Sequence, residues 1–285
     1  MKAGSWHRLI AVLPFVVPAP VCVAGPDYER ERTIAEELVA GLETGEAVWL
    51  NAVSGSQFLA LFTRASGVRN STAVILVHGM GAHPDWPVVI APLRRSLPAA
   101  GWATLSLQMP VLSPETPEAD YGRTLERAQR RIRAGVTFLR EEGYESVVLI
   151  GYSFGAATAA RYLANVKGHG VDAFAGISMI ARKFLSPSLD LLEQLAGIDV
   201  PVLDIYGAND LNEVLQTVAD RRLAAGGNGR GEFLQVVIEG ADHFYARREE
   251  ALQATIEGWL VEVVSQKTAA GARNRPPGIR AAEDR

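Results

Sequence analysis

The sequence predicts an α/β fold: a doubly wound, mostly parallel sheet of about eight strands with helices on both faces. Two observations carry this prediction. From residue 45 onward short aliphatic runs alternate with longer amphipathic segments, and most of the later runs are apolar almost throughout. Alternating strands and helices are typical of parallel sheets, and strands without polar alternation are covered on both faces. Any site should therefore lie at the carboxyl ends of the strands.

The predicted strands are short, and the first two are expected to form an antiparallel edge. In chain order the predicted strands are Ala47–Val53, Gln57–Ala65, Thr72–His78, Trp102–Gln108, Ser146–Tyr152, Val171–Ser178, Pro201–Gly207 and Phe233–Glu239.

Helices are predicted where apolar residues recur every three or four positions. These segments are Arg123–Glu142, Phe154–Val166, Leu211–Ala225 and Glu249–Val264. Only residues 179–200 separate the sixth and seventh predicted strands, which leaves room for about one helix and a connector. We therefore expect a minimal lid or none.

The two ends of the chain are predicted to lie outside this domain. Residues 1–24 combine basic residues, a short apolar run and small residues near Ala24, which is the pattern of a secretory signal peptide. The alternative is a membrane anchor, but the apolar run is shorter than the roughly 20 residues of a spanning helix. Residues 267–285 are rich in Gly, Pro, Ala and Arg and are predicted to be disordered. The domain itself then covers residues 25–266.

Composition excludes several classes of function. Cys22 is the only cysteine, so a chain cleaved after Ala24 has no thiol for redox chemistry, covalent catalysis or metal binding. The net charge is −4, and both ends of the chain carry a net positive charge, so the domain between them is more acidic than the whole chain and nucleic-acid binding is not expected. The scattered histidines have no metal-ligand spacing, and no metal or cofactor is predicted.

A candidate nucleophile follows the fifth predicted strand. Ser153 stands in GYSFG, which matches the G-x-S-x-G pattern of a sharp strand-to-helix turn. Gly151 and Gly155 remove side chains that would clash where the backbone doubles back. The same glycines also occur in ordinary turns between a strand and a helix, so the motif needs support from a base and an acid.

His243 is the candidate base, because it alone among the histidines follows the last predicted strand. Asp210, in the loop after the seventh strand, is the candidate acid. Two other acids stay open: Asp204, within that strand, and Asp242, beside the histidine. The favoured chain order is Ser153, Asp210, His243.

The segment HGMG, residues 78–81, predicts an oxyanion hole after the third strand. The expected donors are the backbone N–H groups of Met80 and Phe154, with Gly81 as an alternative to Met80. His78, Gly79 and Tyr152 are expected to contact the substrate.

Two further groups of residues allow both a functional and a structural interpretation. His83, Asp85 and Trp86 either line the site or support the next helix, with Asp85 as its N-cap. Arg182 and Lys183 either recognise an anionic group or lie on a solvated face.

HGMG, GYSFG, YGAND and GADHF, in this order, resemble the α/β-hydrolase superfamily of serine hydrolases. Longer phrases, among them HGMGAHPDWP and LSLQMPVL, are similar to a bacterial subgroup of unassigned function. The resemblance implies the α/β-hydrolase fold and a serine–histidine–acid mechanism. GANDLNEV lacks the proline that often follows the acid in this superfamily.

The expected function is therefore an exported serine hydrolase, periplasmic or secreted, that cleaves a carboxylic ester or related acyl bond of a small-molecule substrate through an acyl-enzyme. An acyltransferase with the same triad and a non-catalytic envelope binding protein are the alternatives. No stable membrane span is expected after cleavage of the signal, and the sequence does not specify the oligomeric state.

Overall fold

The computed structural model describes residues 27–52, 56–66, 71–181, 185–226 and 231–273, with side chains described as far as residue 265. The predicted signal peptide, Arg182, Lys183 and the last part of the predicted tail, residues 274–285, lie outside the described residues.

Within this part of the chain eight strands form one sheet. They are β1 (Glu46–Asn51), β2 (Gln57–Thr63), β3 (Thr72–Val77), β4 (Ala103–Leu107), β5 (Ser146–Tyr152), β6 (Ala173–Ile177), β7 (Val202–Asn209) and β8 (Phe233–Asp242). Their spatial order is β1-β2-β4-β3-β5-β6-β7-β8. Strand β2 is antiparallel to both its neighbours, and all other pairs are parallel. The predicted fold class and the antiparallel edge are confirmed.

The helices in the described residues are α1 (Tyr28–Ala40), α2 (Ile90–Ser96), α3 (Leu125–Glu141), α4 (Phe154–Asn165), α5 (Leu191–Gly197), α6 (Asn212–Leu215), α7 (Val218–Gly226) and α8 (Glu249–Arg273), with a 3-10 helix at Glu118–Thr124. Sequence reasoning missed α1 and predicted α6 and α7 as one helix. Helix α8 also continues into the segment predicted as disordered. Ala, Lys and Arg in that segment favour propagation of a helix that has already formed.

Alternate residues of the central strand β3 pack against opposite layers of the core. Ile75 belongs to the cluster that contains residues of α3, α4 and α5, whereas Leu76 belongs to the cluster that contains residues of α2 and α8. Because successive strand side chains point to opposite faces, a run without polar residues suits a strand with helices on both sides. The sheet is therefore doubly wound.

Helix α1 is tied to the sheet by a buried polar cluster. The Glu31 carboxylate accepts a hydrogen bond from Arg131 Nη2 at 2.5 Å, and its backbone carbonyl accepts one from Gln108 Nε2 at 2.7 Å. The other terminal nitrogen of Arg131 donates to the Gln108 carbonyl at 2.9 Å. These contacts hold α1 over the carboxyl end of β4.

The connection from β6 to β7 contains the short helix α5, and the described residues there form no lid domain. None of the helices within the described ranges combines the length and apolar character needed to cross a bilayer.

Candidate active site

Ser153 lies on a strained turn between β5 and α4. Its φ of 56° falls in the left-handed region, which non-glycine residues rarely adopt. A Cβ on Gly151 would lie 2.5 Å from Ala156 Cα, and one on Gly155 would lie 2.3 Å from the His78 carbonyl oxygen. Both flanking positions therefore require glycine. The hydroxyl stands at the N-terminus of α4, where the helix dipole favours negative charge.

His243 follows β8 and lies between the serine and a carboxylate. Its Nε2 is 3.2 Å from Ser153 Oγ, and its Nδ1 is 2.7 Å from Asp210 Oδ1. A carboxylate can only accept a hydrogen bond, so the imidazole places its proton on Nδ1 and leaves the Nε2 lone pair toward the serine hydroxyl. The structure brings together the three residues that the sequence proposed for these roles.

Four donors surround the Asp210 carboxylate in the loop after β7. Besides His243, they are the Ser178 hydroxyl at 2.5 Å, the Leu211 amide at 2.8 Å and the Gly207 amide at 3.2 Å. Burial by itself raises the pKa of Asp210, but the hydrogen bonds, with that of His243 the largest, outweigh it and hold the pKa below its usual range. The carboxylate is therefore kept charged inside the protein.

The two other candidate acids have different partners. Asp204 is fully buried and pairs with Arg221 at 2.9 Å, in the layer between β7 and α7. Asp242 accepts hydrogen bonds from the backbone amides of Phe244 and Ala246 and so shapes the turn after β8. Neither carboxylate is hydrogen-bonded to His243.

Sequence reasoning missed the residues that support the acid. Ser178 follows β6 with a φ of 50°, and its hydroxyl is 2.9 Å from the Tyr245 hydroxyl. Tyr245 is itself buried with a φ of 56°, and burial raises its pKa. A polar residue directly after a buried strand is the signal that would have marked Ser178. Tyr245 could have been suspected from its place two residues after the candidate base.

The HGMG loop lies beside the nucleophile. A Cβ built on Gly79 would be 3.4 Å from Ser153 Cβ, which is van der Waals contact, so this loop packs directly against the nucleophile. Gly81 adopts a φ of 69°, suited to glycine. Gly79, Met80 and Gly81 all line the cleft that contains Ser153. Among the described residues, the Met80 and Phe154 amides donate no hydrogen bond outside regular secondary structure.

His78 departs from the prediction that it contacts substrate. Its ring is buried, Nδ1 lies 2.8 Å from the Gly79 carbonyl, and Nε2 accepts a hydrogen bond from the Met109 amide at 2.9 Å. It is absent from the lining of the cleft. Burial lowers its pKa to about 3, so the ring stays neutral. The side chain joins the end of β3 to the loop after β4.

Tyr152 and Gly79, the other two residues predicted to contact substrate, do line the cleft. The Tyr152 hydroxyl donates to the backbone carbonyl of His243 at 3.1 Å, and the two rings are 5.4 Å apart. Burial raises the pKa of this phenol, which therefore remains a neutral donor. Tyr152 therefore supports the backbone and ring of His243 and also forms part of the wall of the cleft.

Asp85 does not cap a helix. Helix α2 begins only at Ile90, and the Asp85 carboxylate instead pairs with Arg94 at 2.9 Å and with Arg95 at 2.7 Å. Asp85 therefore contacts the following helix through ion pairs with two of its arginines and not as an N-cap. Trp86 lines the cleft, whereas His83 packs against the Trp86 ring.

The cleft has a volume of about 420 Å³. Near the imidazole its wall includes the rings of Tyr152 and Phe244, which both contact the His243 ring. The full lining consists of Arg30, Gly79, Met80, Gly81, Ala82, Trp86, Ser113, Pro114, Thr116, Glu118, Tyr121, Tyr152, Ser153, Leu211, His243 and Phe244. Within the described residues no group of three or more His, Cys, Asp and Glu side chains is placed to hold a metal ion.

Comparison with known proteins places this chain in a family. The model of the family described as "Protein of unknown function (DUF3530)" matches residues 14–124 and 112–262. The chain belongs to the DUF3530 family. A comparison with curated proteins found no match.

Solved structures similar to this DUF3530 protein are α/β serine hydrolases. Est1E from Butyrivibrio proteoclasticus is 16% identical with a TM-score of 0.61, over 77% of this chain and 99% of Est1E. Dienelactone hydrolase from Anabaena variabilis is 19% identical with a TM-score of 0.61, over 76% of this chain and 96% of the hydrolase. XC6422 from Xanthomonas campestris is described as a serine hydrolase without lid. It is 17% identical with a TM-score of 0.57, over 84% of this chain and 98% of XC6422. The DUF3530 chain has the α/β-hydrolase fold.

Proposed function

We propose that this DUF3530 protein is a serine hydrolase that cleaves a carboxylic ester or related acyl bond through an acyl-enzyme. The observation that carries the proposal is the hydrogen-bonded series from Asp210 through His243 to Ser153, on a strained turn that opens into a cleft. A binding protein has no need of a left-handed serine facing an imidazole, because that strain raises the free energy of the fold.

In this mechanism His243 takes the proton from Ser153 as the hydroxyl oxygen attacks the substrate carbonyl. Asp210 fixes the tautomer and stabilises the imidazolium that forms. The imidazolium then protonates the leaving alcohol. Water, deprotonated by the same imidazole, then attacks the acyl-enzyme. The imidazolium returns this proton to Ser153 Oγ as the acyl–oxygen bond breaks and the acid is released.

The negative charge of the tetrahedral intermediate requires donors on the other side of the carbonyl. The amides of Met80 and Phe154 are proposed for this role, since Gly79 packs against Ser153 and Phe154 opens α4. Loss of one such donor typically costs about 100- to 1,000-fold in turnover.

The absence of a lid domain from the described residues favours small acyl substrates. A cleft of about 420 Å³ that is not covered by a separate domain suits short esters better than long acyl chains. The similar structures include an esterase from Pyrococcus furiosus, which is in keeping with an ester substrate.

Labelling with a fluorophosphonate, read by intact mass and peptide mapping, tests the proposal. We expect one adduct, on Ser153, that is lost in Ser153→Ala and strongly reduced in His243→Ala. Ser106→Ala, which alters a buried serine of β4, is the matched control and should label like the wild type. A folded wild-type protein that takes up no label would contradict the proposal.

Export is a separate part of the proposal. It rests on the basic, apolar and small-residue pattern of residues 1–24, with cleavage after Ala24 and release to the periplasm or beyond. Fractionation of cells that express the full chain, with N-terminal sequencing, tests it. Recovery of uncleaved chain only in the cytoplasm would rule it out.

A further inference from the structure

Arg30 brings a cation into the cleft from a helix that no sequence motif marks. It lies in the first turn of α1 and lines the same cleft as Ser153 and His243. Its Nη1 donates a hydrogen bond to the Leu112 carbonyl at 2.5 Å. The side chain is therefore held in place, and four of the five guanidinium N–H donors remain for other partners.

Contacts between neighbours locate this cation on a particular wall. The Leu112 amide donates to the Tyr121 hydroxyl at 3.4 Å, and the Tyr121 ring packs edge-on against Phe154 at 5.8 Å. A Cβ on Gly81 would lie 3.7 Å from the same hydroxyl. Arg30 thus belongs to the wall that adjoins the HGMG loop and the start of α4.

The part of the wall beside the imidazole is aromatic, because Phe244 lines the cleft there and contacts the His243 ring. The leaving alcohol must stand close to His243 Nε2, because that nitrogen supplies its proton. With the alcohol there, the wall that includes Tyr121 and Arg30 is available to the acyl part of the ester.

Arg30 is not neutralised as several other arginines of the described residues are. Arg131 pairs with Glu31, and Arg94 and Arg95 both pair with Asp85, whereas Arg30 forms no ion pair within the described residues. The nearby carboxylate of Glu115 is fully exposed; a hydrogen bond from Ser113 does most to lower its pKa, and the charge of Arg30 adds a smaller effect. Glu118 also lines the cleft, so its charge opposes an anion and reduces the net attraction.

We propose that Arg30 is a specificity-determining residue that binds a carboxylate at the far end of the acyl chain, so that the preferred substrates are monoesters of dicarboxylic acids. The proposal rests on the proposed function for its orientation in the cleft. A guanidinium can form two parallel hydrogen bonds with a carboxylate, which favours a carboxylate over a neutral chain end.

Paired esters with the same leaving group and chain length test this proposal. The 4-nitrophenyl monoesters of adipic and suberic acid are compared with 4-nitrophenyl hexanoate and octanoate. We expect the ratio of kcat/KM, anionic over neutral, to fall about tenfold in Arg30→Gln for at least one pair, mainly through KM. Arg30→Lys should retain part of the preference, and the preference should shrink as ionic strength rises.

Arg32→Gln is the matched control, because Arg32 has the same charge on the same helix but is exposed and pairs with Glu36. It should leave every ratio unchanged. A purely structural role of Arg30 would lower kcat/KM for both members of a pair alike, and that result would overturn the proposal.

A binding measurement separates this proposal from the hydrolase proposal. In Ser153→Ala, calorimetry with the monomethyl esters of adipic and suberic acid and with methyl hexanoate and octanoate requires no turnover. Tighter binding of an anionic ester that is lost in Arg30→Gln supports the subsite even if no ester is hydrolysed by the wild type. Equal binding of anionic and neutral esters overturns it even if the wild type hydrolyses both.

Discussion

His78 and His243 are both buried at strand ends, yet their surroundings suit them to different tasks. Each has Nδ1 beside an oxygen: a neutral backbone carbonyl for His78 and the Asp210 carboxylate for His243. At Nε2, His78 meets an amide N–H, whereas His243 meets the Ser153 hydroxyl. An amide does not give up its proton to an imidazole, but an alcohol that attacks a carbonyl does. Partner chemistry, and not burial, therefore distinguishes a candidate base from a structural histidine.

The largest expected effect is that of replacing the candidate base. His243→Gln should lower kcat for an ester substrate by about a millionfold, because the glutamine amide cannot accept the proton of Ser153. The melting temperature should change little. Ester turnover and thermal unfolding, measured on the same preparation, check both statements. A variant that retained more than a tenth of the activity would show that another group acts as the base.

The equivalent change at His78 should act on stability instead. His78→Phe keeps an aromatic ring, slightly larger than the imidazole, but leaves the buried Met109 amide without its acceptor and the Gly79 carbonyl with only the Ala82 amide as a donor. We expect a loss of about 3 kcal/mol in the free energy of unfolding, with kcat of the folded fraction within a few-fold of the wild type. Denaturant titration gives the first value. Unchanged stability together with lost activity would return His78 to the substrate-binding role that the sequence suggested.

The low pKa of His78 makes stability dependent on pH. Burial is the main cause, the carbonyl of Gly79 opposes it, and His83 and Arg131 lower the pKa slightly further. In the unfolded chain the ring binds a proton below pH 6.5, whereas in the folded protein it does so only near pH 3. Stability from this group is complete above pH 6.5 and is lost as the pH falls, by about 3 kcal/mol at pH 4.5.

Unfolding of the wild type and His78→Phe between pH 7 and 4.5 isolates this contribution. Carboxylates titrate in both proteins, so their effect cancels in the difference. The stability gap between the two proteins should narrow toward pH 4.5. A gap that stays constant would mean that His78 is protonated with little cost in the folded state.

The sequence predicted the parts of this molecule that depend on local pattern. Strands β3 and β5 are apolar almost throughout because both faces are covered, and Gly151 is required by a contact with Ala156, five residues later. Gly155, by contrast, is required by the backbone of His78, which is distant in sequence. Periodicity and a short motif are sufficient for such features.

Features that depend on distant partners were not predictable in the same way. Helix α1 buries only Glu31 and Ala35, so its apolar stripe is narrow, and it is held by an ion pair to Arg131, 100 residues away. The place of His78 depends on the Met109 amide, 31 residues later. Arg30 enters the cleft only because α1 is docked, and no spacing in the sequence indicates that docking.

The smallest expected effect on kcat is that of removing a hydrogen bond to Asp210. This carboxylate is the partner that distinguishes His243 from His78. Ser178→Ala removes one hydrogen bond to the charged carboxylate, and such bonds lower the pKa. The pKa of Asp210 should therefore rise. A carboxylate with fewer donors attracts the imidazolium of His243 more strongly, so the acid limb of the kcat/KM profile, which reports protonation of the base, should move to higher pH. At neutral pH kcat should fall by about three- to tenfold, because the imidazole is held less firmly.

A pH profile distinguishes this positioning role from simple packing. Thr104→Val, near the start of β4, removes a buried hydroxyl that donates a hydrogen bond to the Arg94 carbonyl. It therefore measures the general cost of losing a buried hydroxyl hydrogen bond. Ser178→Gly removes the same hydroxyl as Ser178→Ala but suits the φ of 50°, so backbone strain can be separated from hydrogen bonding. Both Ser178 variants should shift the acid limb equally, whereas Thr104→Val should not. Loss of activity at every pH without a shift of the acid limb would show that Ser178 only fills space. The backbone amides of Gly207 and Leu211 would then be sufficient to support Asp210 in its contact with His243.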